Sequence, residues 1–170
     1  MKEINVYELA RREEEIEGSL TIDELPNYHT YLCDGPKRIR YRMKGRKKVM
    51  NLPGADVRIW VKATVPCPHC LEAVPFEDHI EVTFAFVPTV QESLEMPIDE
   101  DRPGVEVVVA STHEKIATLI EEELILSVPY LSHDDCEQRA QDRNDEQEER
   151  VQEEKQNPFA NLAELMKKAS

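Results

Sequence analysis

Residues 35–49 read GPKRIRYRMKGRKKV and residues 57–65 read VRIWVKATV, and both alternate in steps of two. In the first, Arg38, Arg40, Arg42, Lys44, Arg46 and Lys48 take the even positions, and Ile39, Tyr41, Met43 and Val49 the odd ones. Successive side chains of a strand point to opposite faces. One face is therefore a ladder of cations and the other, apart from Lys47, a strip of core. In the second stretch Val57, Ile59, Val61, Ala63 and Val65 share one face, and Arg58, Trp60, Lys62 and Thr64 the other. Turn residues between them, at 51–56, predict a hairpin. Paired in the right register, Arg58, Trp60 and Lys62 extend the cationic face, although sequence alone does not fix register.

Working outward, residues 5–16 predict a charged amphipathic helix with Val6, Leu9 and Ile16 inward, ending near Gly18, and residues 19–25 a short strand. Beyond Cys67 and Cys70 another alternating strand points Ile80, Val82, Phe84 and Phe86 inward. Residues 88–104, rich in proline and acid, read as a loop, and residues 105–109 as a short apolar strand. Ser111-Thr-His-Glu114 matches a capping box, which predicts a helix over 112–127. Its buried stripe is Ile116, Leu119, Ile120 and Leu124, continued by Leu126 or Val128, with Glu121, Glu122 and Glu123 solvated. The expected fold class is α+β, a mostly antiparallel sheet, able to curl toward a barrel, with one helix packed on it.

This domain is expected to span residues 1–133. Residues 134–156 form an acidic tether whose composition, almost without apolar residues, favours disorder over a solvated helix. Within 157–170, Asn157 suits an N-cap and Pro158 the first helical position. Phe159, Leu162, Leu165 and Met166 then make one apolar face. Such a helix docks either on its own domain or on a protein partner.

The formal net charge is −14 over 170 residues, yet eight of the twelve residues from Lys37 to Lys48 are basic. That balance argues against general adhesion to nucleic acid or anionic membrane, and a polyanion, RNA above all, is the partner expected for the local basic face. Phosphate contacts would dominate, with Trp60 or Tyr41, if exposed, stacking on an unpaired base. The alternative is structural: a solvated edge strand protected by its charges, or cations paired with the protein's own acids. Trp60 likewise reads either as an exposed platform or as core. No apolar run resembles a signal peptide or membrane span. With four cysteines in a chain this long, a reducing cytoplasm is the expected compartment.

Cys67-Pro-His-Cys70 has the spacing by which a tight turn aims two thiolates at one metal. His133-Asp-Asp-Cys136 repeats that spacing after the predicted helix, so Cys67, Cys70, His133 and Cys136 can make one closed structural zinc site. Reduced thiols in a surface turn remain the alternative, and a redox motif fits less well because the context is not strand–CxxC–helix. Cys33 has no partner spacing. Neither a glycine-rich phosphate loop nor a nucleophile motif is present, and the acids lie in runs on expected loops, so no enzyme and no small-molecule substrate are expected.

Three segments resemble the YceD family, the large ribosomal RNA subunit accumulation proteins. They are VPCPHCLE at 65–72, IEEELILSVP at 120–129 running on to His133 and Cys136, and NPFANLAELMKK at 157–168. The resemblance implies a cytosolic bacterial or organellar protein of ribosome biogenesis, needed for accumulation of 23S rRNA. Together with the basic strand it predicts a non-enzymatic factor contacting 23S rRNA, its precursor or a large-subunit assembly intermediate. The rival expectation is an adaptor that docks an assembly or processing factor through the terminal helix without touching RNA.

Overall fold

The basic stretch forms β3 (Arg38–Val49) and the second alternating stretch lies in β4 (Leu52–Pro66), antiparallel and in the register that pairs Arg40 with Trp60 and Arg42 with Arg58. In this computed structural model residues 3–96, 104–133, 135 and 136 are described. The hairpin turn is tighter than the sequence suggests. Met50 and Asn51 both have positive φ, 51° and 66°, as a two-residue turn with the twist of its strands requires. Leu52, Pro53 and Gly54 therefore belong to β4 and not to the turn. The register shifts between Arg46 and Val49, and such an irregularity is where a strand tolerates a proline that cannot donate.

Two more antiparallel strands flank the hairpin: β2 (Glu15–Leu20) on β3 and β5 (Ala73–Val87) on β4. β6 (Val105–Val109) adds to β5 in parallel, completing a five-stranded sheet in the order β2-β3-β4-β5-β6. The sheet is open and does not close into a barrel; β2 and β6 are its edges. Its inner face buries Ile39, Tyr41, Met43, Val57, Ile59, Val61, Val82 and Phe84. Tyr41 is thus a core residue and cannot serve as an exposed stacking platform.

The first helix is shorter than its charge pattern predicts. α1 (Val6–Arg12) starts at Asn5, whose Oδ1 accepts from the amides of Tyr7 and Glu8, and stops at Glu13 in the left-handed region (φ 53°). The chain turns there, so Ile16 lies in β2 and the strand expected at 19–25 is displaced to Glu15–Leu20. A 3-10 turn (Ile22–Glu24) and α2 (Pro26–His29) follow. α1 buries Val6, Leu9 and Ala10 against β3 and β4, closely enough that a Cβ on Gly45 would lie 2.0 Å from the Leu9 carbonyl oxygen.

The 88–104 stretch holds α3 (Val90–Glu95), begun by Thr89, whose Oγ1 accepts from the Glu92 amide. Glu114 does reach back to the Ser111 amide at 3.1 Å, but the helix does not start there. Glu114 and Lys115 instead form β7, which pairs with β1 (Glu3–Ile4), and α4 runs Ile116–Leu126. Its main packing is on α2 and β7. Leu126 is 76 % exposed, while Glu121 and Glu123, expected in solvent, are buried.

The chain divides into two compact units: residues 1–66 with 73–129, and a second made of residues 67–72 and the chain from Tyr130 on. The tether at 134–156, beyond Asp135 and Cys136, and the docking helix with Asn157, Pro158, Phe159, Leu162, Leu165 and Met166 lie outside the described residues.

Candidate functional site

Because β3 and β4 alternate, all of Arg38, Arg40, Arg42, Lys44, Arg46, Arg58, Trp60 and Lys62 fall on the side of the sheet away from the core strip, and Lys48 is exposed after the register shift. The sequence reading missed what borders them. β2 sends Glu15 and Glu17 to the same face, and β5 sends Glu77 and Glu81. One transverse row reads Glu17–Arg42–Arg58–Glu81, in which each of two facing arginines is neutralised from the outer strand.

The ion pairs follow that order. Arg42 bonds Glu15 at 3.1 Å and Glu17 at 3.2 Å, Arg46 bonds Asp56 at 3.2 Å, Arg58 bonds Glu81 at 3.1 Å, and Lys62 bonds Glu77. Lys47, on the other parity, bonds Glu13 at 2.9 Å and holds that carboxyl below the usual range. All these pairs are solvent-exposed and add little stability; their effect is to cancel charge. Arg38, Arg40, Lys44 and Lys48 have no ion pair among the described residues.

The next transverse row is Ser19–Arg40–Trp60–His79. Trp60 is half-buried and stacks on His79 with ring centres 5.1 Å apart and planes 10° from parallel. The Arg40 guanidinium carbon lies 6.0 Å from the Trp60 centroid, within cation–π range.

A second cluster is contained in the smaller unit. Cys67, Cys70 and Cys136 are buried thiols with sulfurs mutually within 4.8 Å, and Cys67 Sγ is 3.1 Å from Cys136 Sγ. His133 Nδ1 is 3.3 Å from Cys70 Sγ. Cys70 and His133 also form a group with Glu72, a carboxylate the spacing argument overlooked because it belongs to neither CxxC-like pair. The turn is held by the Cys67 amide donating to the Glu72 carbonyl at 2.8 Å and the Leu71 amide to the Cys67 carbonyl at 2.9 Å. Burial works to raise the Cys67 thiol, but hydrogen bonds from the Cys70 amide, the Cys136 thiol and the amides of His69 and His133 outweigh it and set it at about 5. Burial and the neighbouring thiols push Cys136 up to about 11. Tetrahedral zinc with sulfur ligands near 2.3 Å separates sulfurs by about 3.8 Å, so three thiols at this spacing fit such an ion after small adjustments. Cys33 is apart from this group, a free thiol whose amide donates to the Thr64 carbonyl.

With both clusters placed, comparison with known families decides the lineage. The family model for the large ribosomal RNA subunit accumulation protein YceD matches residues 55–166. The chain belongs to the YceD family. The match begins inside β4, takes in the Cys67–Cys70 turn, α4, His133 and Cys136, and runs on to Met166. The whole of the basic strand β3 lies before it, so the cationic ladder is outside the portion that defines YceD membership. No curated protein and no solved structure matches the chain significantly. Membership implies a role in accumulation of large ribosomal subunit RNA. No helix among the described residues is long and apolar enough to cross a membrane.

Proposed function

We propose that the protein is a non-enzymatic ribosome biogenesis factor of the cytoplasm that supports synthesis, processing or stability of 23S rRNA by touching pre-ribosomal RNA through the outer face of its sheet. The observation that carries this reading is a set of cations on one face with no ion pair among the described residues, Arg38, Arg40, Lys44 and Lys48, of which Arg40 lies across from the half-buried Trp60. Their neighbours Arg42, Arg46, Arg58 and Lys62 are held by the protein's own carboxylates and would contribute only by exchanging partners. The contact is therefore small, three or four phosphates, flanked by acid strips that repel RNA lying across the sheet at random. Zinc bound by Cys67, Cys70 and Cys136, with His133 or Glu72 as fourth ligand, would close the smaller unit as a structural centre.

The same self-pairing favours a second reading, an adaptor that docks an assembly or processing factor through residues 157–168 and leaves RNA to its partner.

In-cell ultraviolet crosslinking with sequencing of the recovered RNA tests the first reading, comparing wild type with Arg38→Glu/Arg40→Glu/Lys44→Glu at matched abundance. Reads concentrated on 23S rRNA or its precursor, and lost in the variant, are expected. Wild-type protein that recovers no rRNA above background would shift the reading to the adaptor.

A further inference from the structure

The row Ser19–Arg40–Trp60–His79 sets three planar groups side by side, His79 stacked on Trp60 and the Arg40 guanidinium carbon 6.0 Å from the Trp60 centroid, with a small side chain at its end. His79, Trp60 and Arg40 occupy consecutive strands, and the fourth position, on β2, carries the small side chain of Ser19. A groove of about 480 Å³ opens there, lined by Glu17, Gly18, Ser19, Arg40, Tyr41, Arg42 and Trp60. Neighbouring strands lie about 4.8 Å apart, so a flat group lying over Ser19 would be next to Arg40 and one strand further from Trp60. Arg40 has no ion pair among the described residues to hold its guanidinium elsewhere.

We infer that this groove holds one unpaired base of an RNA strand, guanine by preference, stacked on Arg40 as the fourth layer of the row. The inference rests on the RNA reading above and gives it a chemical selectivity that phosphate contacts lack. Guanidinium and aromatic planes accept any base by stacking. Selectivity comes from Glu17, whose carboxylate stands at the groove beside Arg42. Guanine alone offers two adjacent donors, N1–H and the N2 amine, on the edge that a carboxylate bridges. Adenine and cytosine offer one amine there and uracil one ring N–H. Engaging the base draws Glu17 from Arg42, with which it pairs at 3.2 Å, and that frees Arg42 toward a flanking phosphate while Glu15 still holds it at 3.1 Å.

Trp60 is the only tryptophan in the chain, so its fluorescence reports this groove directly. The full-length protein is titrated with GMP, AMP, UMP, CMP and inorganic phosphate. GMP should quench Trp60 saturably in the millimolar range, at least threefold more tightly than AMP and tenfold more tightly than either pyrimidine nucleotide, with phosphate inert. Ser19→Tyr fills the fourth layer and should abolish the response. Glu17→Gln should bring GMP down to the AMP level without abolishing stacking. Both positions are exposed, and circular dichroism melts confirm that the variants fold. In parallel, fluorescence anisotropy follows a labelled single-stranded precursor-rRNA fragment. Binding of that fragment that is weakened by Arg38→Glu/Lys44→Glu, with no nucleotide-dependent quenching and no effect of Ser19→Tyr, overturns the base site and leaves the RNA reading standing. No binding in either assay overturns both.

Discussion

Glu121 sits second in a run of three glutamates, and nothing in the run distinguishes it from Glu122. Its carboxylate nevertheless accepts from the amides of Asn27 at 2.7 Å and Tyr28 at 3.0 Å and from the Asn27 side chain at 3.1 Å. It supplies the first turn of α2 with the acceptors that a helix start lacks. Glu121→Ala strands those donors beside the buried Tyr28 and should cost about 2–3 kcal/mol in urea denaturation, with Glu121→Gln recovering part of the loss. Glu123, equally buried, is pushed up to about 7 by burial, by its hydrogen bond to Glu106 and by the charges of Glu106 and Glu122. The folded protein thus holds a proton there that the unfolded chain releases near pH 4.5. The associated stability is complete below that value and is lost as pH rises through 7, by at most about 3 kcal/mol. Stability measured from pH 5 to 8 should fall for wild type and run flatter for Glu123→Gln. Sequence could not separate these three glutamates, because their difference lies in what α2 and β6 place opposite them.

At the scale of elements, the alternation of β3 and β4 was legible because a period of two needs only the chain itself. Less legible was the neighbourhood: Glu15 and Glu17 sit in a stretch whose charges and spacing also suit a helix. Only the left-handed Glu13 ends α1 early enough to send them into β2. Gly45 belongs with this, since it reads as a weak point in a strand until α1 crosses it at a distance no side chain permits. The Cys67–Cys70 turn was legible by spacing, and so was its pairing with His133 and Cys136, whereas Glu72 entered only through the fold of the turn. If the turn is a zinc site, purified protein should carry about one zinc per chain by elemental analysis. Cys67→Ser/Cys70→Ser should remove the metal and lower Tm by several degrees, and protein isolated metal-free at unchanged Tm would show a thiol cluster instead.

For the whole molecule, a net charge of −14 and a face whose cations are half cancelled must be reconciled with any affinity for RNA. The chain's excess acid sets a repulsive background, and the few cations with no ion pair among the described residues offset it locally. Affinity for single-stranded RNA should then fall with salt at a log–log slope of about −2 to −3, from three or four phosphate contacts at about −0.7 each. A slope near −6 would mean that the whole ladder is engaged. We hypothesise further that the acidic segment after Cys136 competes for this face: deleting residues 137–170 should tighten non-specific RNA binding at low salt, and unchanged binding would sink the idea. By itself the sequence determined the α+β class, the hairpin of Arg-rich and Val-rich strands, the thiol and imidazole donors, and the kinship that names the RNA. The class, the hairpin and the donors follow from periodicity and spacing, properties of the chain read locally, whereas the kinship follows from the resemblance of three segments to the YceD family. Only the tertiary structure decided that the cationic ladder lies between two acid strips, that Arg40, Trp60 and His79 line up in one row ending at Ser19, and that Glu121 and Glu123 are buried. Those facts depend on which strand lies beside which and in what register, and register is set by packing between segments far apart in the chain.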